Sequence, residues 1–129
     1  MLHLTSLMFI TNVIHAYYVR AAALHHAWVV VLATSLLYHG RAAHGLEKHS
    51  NVHIYRAIDM TSVAGLVTIG AVNWWQLALF YKAATLALFA SSVSLYVFGQ
   101  TQPLNTHAAL HVSASLGHHL LLAGLPQFA

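Results

Sequence analysis

Apolar residues fill this chain in long stretches, and the polar positions fall between them at intervals close to one bilayer thickness. A membrane-crossing helix needs about 20 mostly apolar residues, and the chain divides into candidate spans at 2–19, 21–39, 54–72, 75–98 and 106–125. Tyr17, Tyr18 and Arg20 close the first span and Gly40-Arg41 the second. The polar stretch 40–53, with Arg41, Glu47 and Lys48, reads as a loop. Asn73-Trp74-Trp75 is a very short turn, and the segment 99–105 breaks the fourth span because Pro103 cannot continue a helix. Asn105 or Thr106 then caps the fifth. The pattern predicts an all-α, polytopic transmembrane bundle of about five spans, with 1–129 forming one domain and no internal repeat. Residues 1–19 show neither a basic leader nor a small-residue cleavage site, so they are expected to stay as the first span.

Composition strengthens the membrane assignment. Of the 129 residues 59% are hydrophobic and only 5% are charged, against about 25% charged in an average soluble domain. So few charges cannot keep a soluble surface of this size dispersed. A net charge of +3, without a basic stripe or aromatic–basic interleaving, gives no case for nucleic acid binding. Cysteine is absent, which excludes disulfides, thiolate zinc sites, iron–sulfur clusters and cysteine nucleophiles. The 12 histidines are the outlier, since a buried imidazole in an apolar medium is costly unless hydrogen-bonded or ligated.

Arg41, Lys48 and Arg56 fall on the side that holds the N-terminus, and Arg20 on the other. The positive-inside rule therefore places the N-terminus in the cytoplasm and the C-terminus on the opposite side. With alternating spans, the end of span two and the starts of spans three and five share the cytoplasmic side. Ser35 and His39, Asp59, and His107 and His111 stand at those three places, all within about two turns of the interface. Residues four apart share a helix face, so each pair aims its polar groups one way. His107-x3-His111 suits zinc, because two imidazoles at i and i+4 can bind one ion. Simpler roles stay open for each residue taken alone. His107 and His111 could hydrogen-bond between helices, His39 could cap a helix C-terminus, Asp59 could pair with Arg56 one turn earlier, and Ser35 could line a helix interface.

Ser35-Leu-Leu-Tyr-His39, an Asp near the start of the next span (Ala57-Ile58-Asp59-Met60) and His107-Ala-Ala-Leu-His111 in the last span together resemble the CREST superfamily. That group holds alkaline ceramidases, progesterone and adipoQ receptors, and haemolysin III-like proteins. The resemblance covers spans two, three and five, roughly half of the chain. It departs from the family in having five spans where seven are usual, and in the 20 residues between His39 and Asp59. Loss of a pair of spans keeps the last helix in the same orientation. The resemblance implies that His39, His107 and His111 bind Zn2+, with a water in the fourth position. It further implies that Asp59 serves as general base and that Ser35 hydrogen-bonds the water or the oxyanion. The reaction implied is hydrolysis of an amide or ester in a lipid substrate entering from the bilayer. So small a bundle leaves room for a homo-oligomer that completes the lipid cavity.

Other classes fit parts of the pattern. A b-type cytochrome could use His25 and His39, 14 apart, with His107 and His119, 12 apart, as haem ligands, but leaves Ser35 and Asp59 without a role. A di-iron lipid hydroxylase would use His107-x3-His111 as one box, yet the chain has no His-x-x-His-His. A receptor-like relative would keep the metal for stability alone. Lys82 lies inside span four without a carboxylate counter-ion, so snorkelling or a polar pocket accounts for it better than a retinal Schiff base. His44, His49 and His53 are expected to be solvated in the loop. His15, His25, His26, His118 and His119 fall in the outer half of the bundle, where hydrogen bonding in the core is their expected role, and His3 carries no assignment.

Overall fold

The computed structural model describes residues 5–43, 52–98 and 103–126. Among these the chain forms five helices and no strand: α1 Phe9–Tyr18, α2 Ala22–Ala43, α3 Val52–Trp74, α4 Leu79–Phe98 and α5 Pro103–Gly124. Helix α1 packs on α2, α2 on α3, and α5 on α1 and α3, which closes these four into a ring. Helix α4 lies outside the ring, chiefly against α5.

Three of the helices, α2, α3 and α4, are long and apolar enough to cross a membrane. The other two expected spans differ for separate reasons. Helix α1 has 10 residues, only about 15 Å of rise, because the chain before it makes short-range turns such as Met8 N–H to the Thr5 carbonyl at 3.1 Å. Helix α5 has 22 residues and is long enough, but His107, His111, His118 and His119 dilute its apolar content. Those polar residues are not spread round the helix. His111 and His119 meet Thr5, just before α1, and Thr11 of α1, and Ser115 between them meets Asn12, so the polar stripe of α5 is largely covered by the segment 5–12.

Several boundaries also shift. Pro103 begins α5 rather than stopping the helix before it. A proline lacks the N–H that the first helical turn leaves unpaired in any case, so it fits there. Helix α2 continues through Gly40 and Arg41 to Ala43, past the expected end at 39. His3, His44, Glu47, Lys48 and His49 lie outside the described residues. His53, expected in the loop, is exposed in the first turn of α3.

The α1–α2 corner is a Schellman motif. Ala21 N–H donates to the Ala16 carbonyl and Arg20 N–H to Tyr17, at 3.0 and 3.1 Å. Arg20 takes the left-handed conformation (φ 56°) that the motif demands. The core is organised by stripes. Leu24, Trp28, Val31, Ser35 and His39 are the buried line of α2, and Phe9, Asn12 and Ala16 that of α1. Along α2 the line changes from apolar to polar, and its polar end is where the histidines collect.

Gly124 marks the closest approach of α4 and α5. A Cβ added there would lie 2.6 Å from Tyr81 Cγ and 2.8 Å from Tyr81 Cβ, whereas one added at Gly65 meets nothing within 4 Å. Crowding of this kind costs about 1–3 kcal/mol. Gly124→Ala should therefore lower the unfolding midpoint in detergent, and Gly65→Ala should not. Equal midpoints for both variants would contradict the close α4–α5 contact.

Candidate metal centre

Helical periodicity brings the site together. On α2, Ser35 and His39 follow Val31 at four-residue steps along the buried line, so both point into the ring. On α5, His107 and His111 stack on one face, one turn apart. Because α2 ends where α5 begins, His39 meets that face. One ligand nitrogen from each of His39, His107 and His111 lies within 4.8 Å of the others. The ring centres are 4.9 Å apart for His39–His107, 5.2 Å for His39–His111 and 4.7 Å for His107–His111. His39 and His111 are buried and His107 half-buried.

The nitrogen geometry suits an ion. His39 Nε2 and His107 Nε2 are 3.3 Å apart. Two nitrogens of a tetrahedral zinc, each bound at about 2.0–2.1 Å, are separated by about 3.3–3.4 Å. His111 meets the Thr5 hydroxyl through Nδ1 at 2.9 Å. Phe9 packs on His111 at 5.0 Å and on Trp28 at 5.1 Å, and so divides the triad from the apolar core. Three converging imidazoles are a donor set that a divalent ion such as zinc can take. Zinc fits these residues.

Asp59 and Ser35 are both buried and neither joins the triad's ligand set: Ser35 stands one turn before His39 on the buried line of α2, and the carboxylate of Asp59 on α3 meets α2 at Thr34. Thr34 donates to Asp59 Oδ1 at 3.1 Å and contacts Ser62 Oγ at 2.8 Å, while Ser62 donates to the Asp59 carbonyl. The hydroxyl of Thr34 thus orients the carboxylate. Arg56 is exposed and the side-chain partner of Asp59 among the described residues is Thr34, so the ion-pair reading loses its support. Ser35 Oγ meets Ser6 Oγ at 3.1 Å. Thr5, Ser6 and Thr34 are the neighbours that sequence reasoning missed. Their signal was thin: hydroxyls at the margin of an apolar stretch, or next to Ser35, with nothing in spacing to name their partners.

The histidines of the outer half have other partners. His15 Nδ1 and His119 Nδ1 are 2.8 Å apart with the rings stacked, and Thr11 holds His119 Nε2 at 2.9 Å. A separation of 2.8 Å is that of a hydrogen bond and too short for two ligands of a tetrahedral ion. His25 meets the Val13 carbonyl at 3.0 Å, His26 that of Ala22 at 2.7 Å and His118 that of Ala114 at 3.2 Å. For His15, His25, His118 and His119 these contacts are the hydrogen bonding expected of the outer half, whereas His26 is exposed and bonds only to its own helix, outside the core role expected of it. Lys82 lies over Trp74 and Trp75, 5.6 and 5.9 Å from the ring centres, an aromatic setting for its ammonium.

Comparison with known proteins gives no match: no family model, curated protein or solved structure corresponds to this chain.

Elemental analysis after zinc loading and desalting should find about one zinc per chain, reduced severely by His39→Ala, His107→Ala or His111→Ala. His119→Ala should leave the stoichiometry intact. Loss of zinc in the His119 variant, with retention in the other three, would move the site to the wrong end of the bundle.

Proposed function

We propose that the chain is a zinc-dependent intramembrane hydrolase that cleaves an amide or ester bond of a membrane lipid. The observation that carries the reading is the convergence of His39, His107 and His111 in a bundle with three helices apolar enough to cross a membrane. Bound by these imidazoles, zinc supplies Lewis acidity, polarising a carbonyl and bringing the pKa of a water towards about 7. The chain's own residues supply the rest. Asp59, oriented by the Thr34 hydroxyl, accepts a proton from the attacking water. Ser35 stands one turn before His39 and donates to the developing oxyanion. His39, His107 and His111 hold the ion and leave a position open to reactants.

The geometry favours this reading over a haem protein. A haem needs its two imidazoles on opposite faces of a macrocycle, and rings 4.7–5.2 Å apart in a group of three leave no slot for one. His25 and His119, the outer pair of the haem scheme, bond to Val13 and His15 instead of facing each other. Burial of Asp59 on the Thr34 hydroxyl, with no ion pair, favours a working carboxylate over one kept for surface charge. The site lies at the end that carries Arg41 and Arg56, which we assign to the cytoplasmic face.

Zinc-loaded protein in mixed micelles should hydrolyse a ceramide-type amide or a phospholipid ester. Asp59→Asn should keep its zinc and lose about 10²–10⁴-fold in rate, the usual worth of a positioned general base. Zinc-loaded wild type without turnover on either lipid class, or Asp59→Asn with full turnover, would overturn the assignment.

A further inference from the structure

We infer that Thr5 is a positioning residue of the metal centre, its hydroxyl committing His111 to bind the ion through Nε2. The inference rests on the metal reading above and adds to it a residue from a third stretch of chain. An imidazole can offer either nitrogen, and its ring can turn about χ2. His111 Nδ1 is 2.9 Å from Thr5 Oγ1. With a metal on Nε2 the Nδ1 atom carries the proton, so Nδ1–H donates and the threonine oxygen accepts. That bond selects the tautomer and the ring angle together. Metal-bound histidines almost always donate their second N–H in this way, and loss of the acceptor typically weakens metal affinity about 10–100-fold.

The next residue reinforces the placement. Ser6 is fully buried and meets Ser35 on α2, one turn before His39. Consecutive residues of a helical turn point about 100° apart, so Thr5 reaches α5 while Ser6 reaches α2. These two hydroxyls therefore grip both of the helices that supply the ligands. Phe9, one turn later, packs on His111 at 5.0 Å and limits the ring's swing on that side.

The test separates tautomer control from simple bracing of α1 against α5. Thr11→Val is the matched control, because it makes the same chemical change in the same seam at a contact to His119 rather than to the triad. Co2+ is titrated into each metal-free variant in detergent, and the visible absorption of the bound ion is followed. Thr5→Val should weaken Co2+ binding about 10–100-fold and alter the band shape. Thr5→Ser should restore most of the affinity, and Thr11→Val should match wild type. Wild-type affinity in Thr5→Val, or equal losses in Thr5→Val and Thr11→Val, would overturn the role of Thr5 while leaving the metal reading intact. No Co2+ binding by the unsubstituted protein would overturn both. If Thr5→Val fails to fold, 15N shifts of the imidazoles in zinc-loaded wild type answer the same question. His111 protonated on Nδ1 agrees with the inference, and protonation on Nε2 ends it.

Discussion

A polar side chain inside a helical bundle surrounded by hydrocarbon is costly without a partner in the bundle. The pairing of most of them organises this molecule, with Asn12 Oδ1 and Trp28 Nε1 buried and unpaired among the described residues. Helices α1 and α5 carry more polar residues than lipid would tolerate, and they solve the difficulty by facing each other. Thr5 meets His111, Asn12 Nδ2 donates to Ser115 at 2.9 Å, and His15 and Thr11 share His119. Water is scarce in such a seam, so each bond is stronger than its counterpart in a soluble core and dearer to leave unmade. Helix α4 stands outside this arrangement. Its exposed serines Ser91 and Ser94 bond back to carbonyls four residues earlier, which lets their hydroxyls sit on a lipid-facing surface, while the buried Ser92 shares the Leu88 carbonyl with Ser113 of α5.

Within the seam the two histidine clusters divide by distance. At one end the His39 and His107 nitrogens stand 3.3 Å apart, the spacing of two ligands on a tetrahedral ion. At the other end His15 and His119 close to 2.8 Å and share a proton. The same residue type thus serves metal chemistry at one end and helix cohesion at the other. The helix ends decide which: the C-terminal turns of α2 bring His39 to the triad, and at the opposite end the α1 side chains His15 and Thr11 reach His119. Asp59 follows the same logic, since Thr34 and Ser62 give its segment hydrogen bonds without neutralising its charge.

Much of this was legible in the sequence, and for a clear reason. Span positions follow from apolar run length, and the four-residue spacings of Ser35–His39 and His107–His111 fix which faces they share. The alternation of spans then brings those faces to one end, so the triad could be anticipated from His39, His107 and His111 together. What could not be read was anything decided by pairing between distant segments. Pro103 looks like a breaker until its place at the first helical position is known. The shortness of α1 depends on turns at residues 5–8 that hydropathy does not encode. Ser35 took its partner from Ser6, 29 residues away, and Asp59 from Thr34, 25 residues away. No periodicity joins such pairs.

The central claim is that one ion is gripped by imidazoles from α2 and α5. X-ray absorption at the zinc edge of the loaded protein tests it most directly. Three imidazole nitrogens at about 2.0–2.1 Å with one lighter oxygen ligand, falling to two imidazoles in His39→Ala, is the result expected. A first shell with fewer than two imidazoles, or one that His39→Ala leaves unchanged, would contradict it.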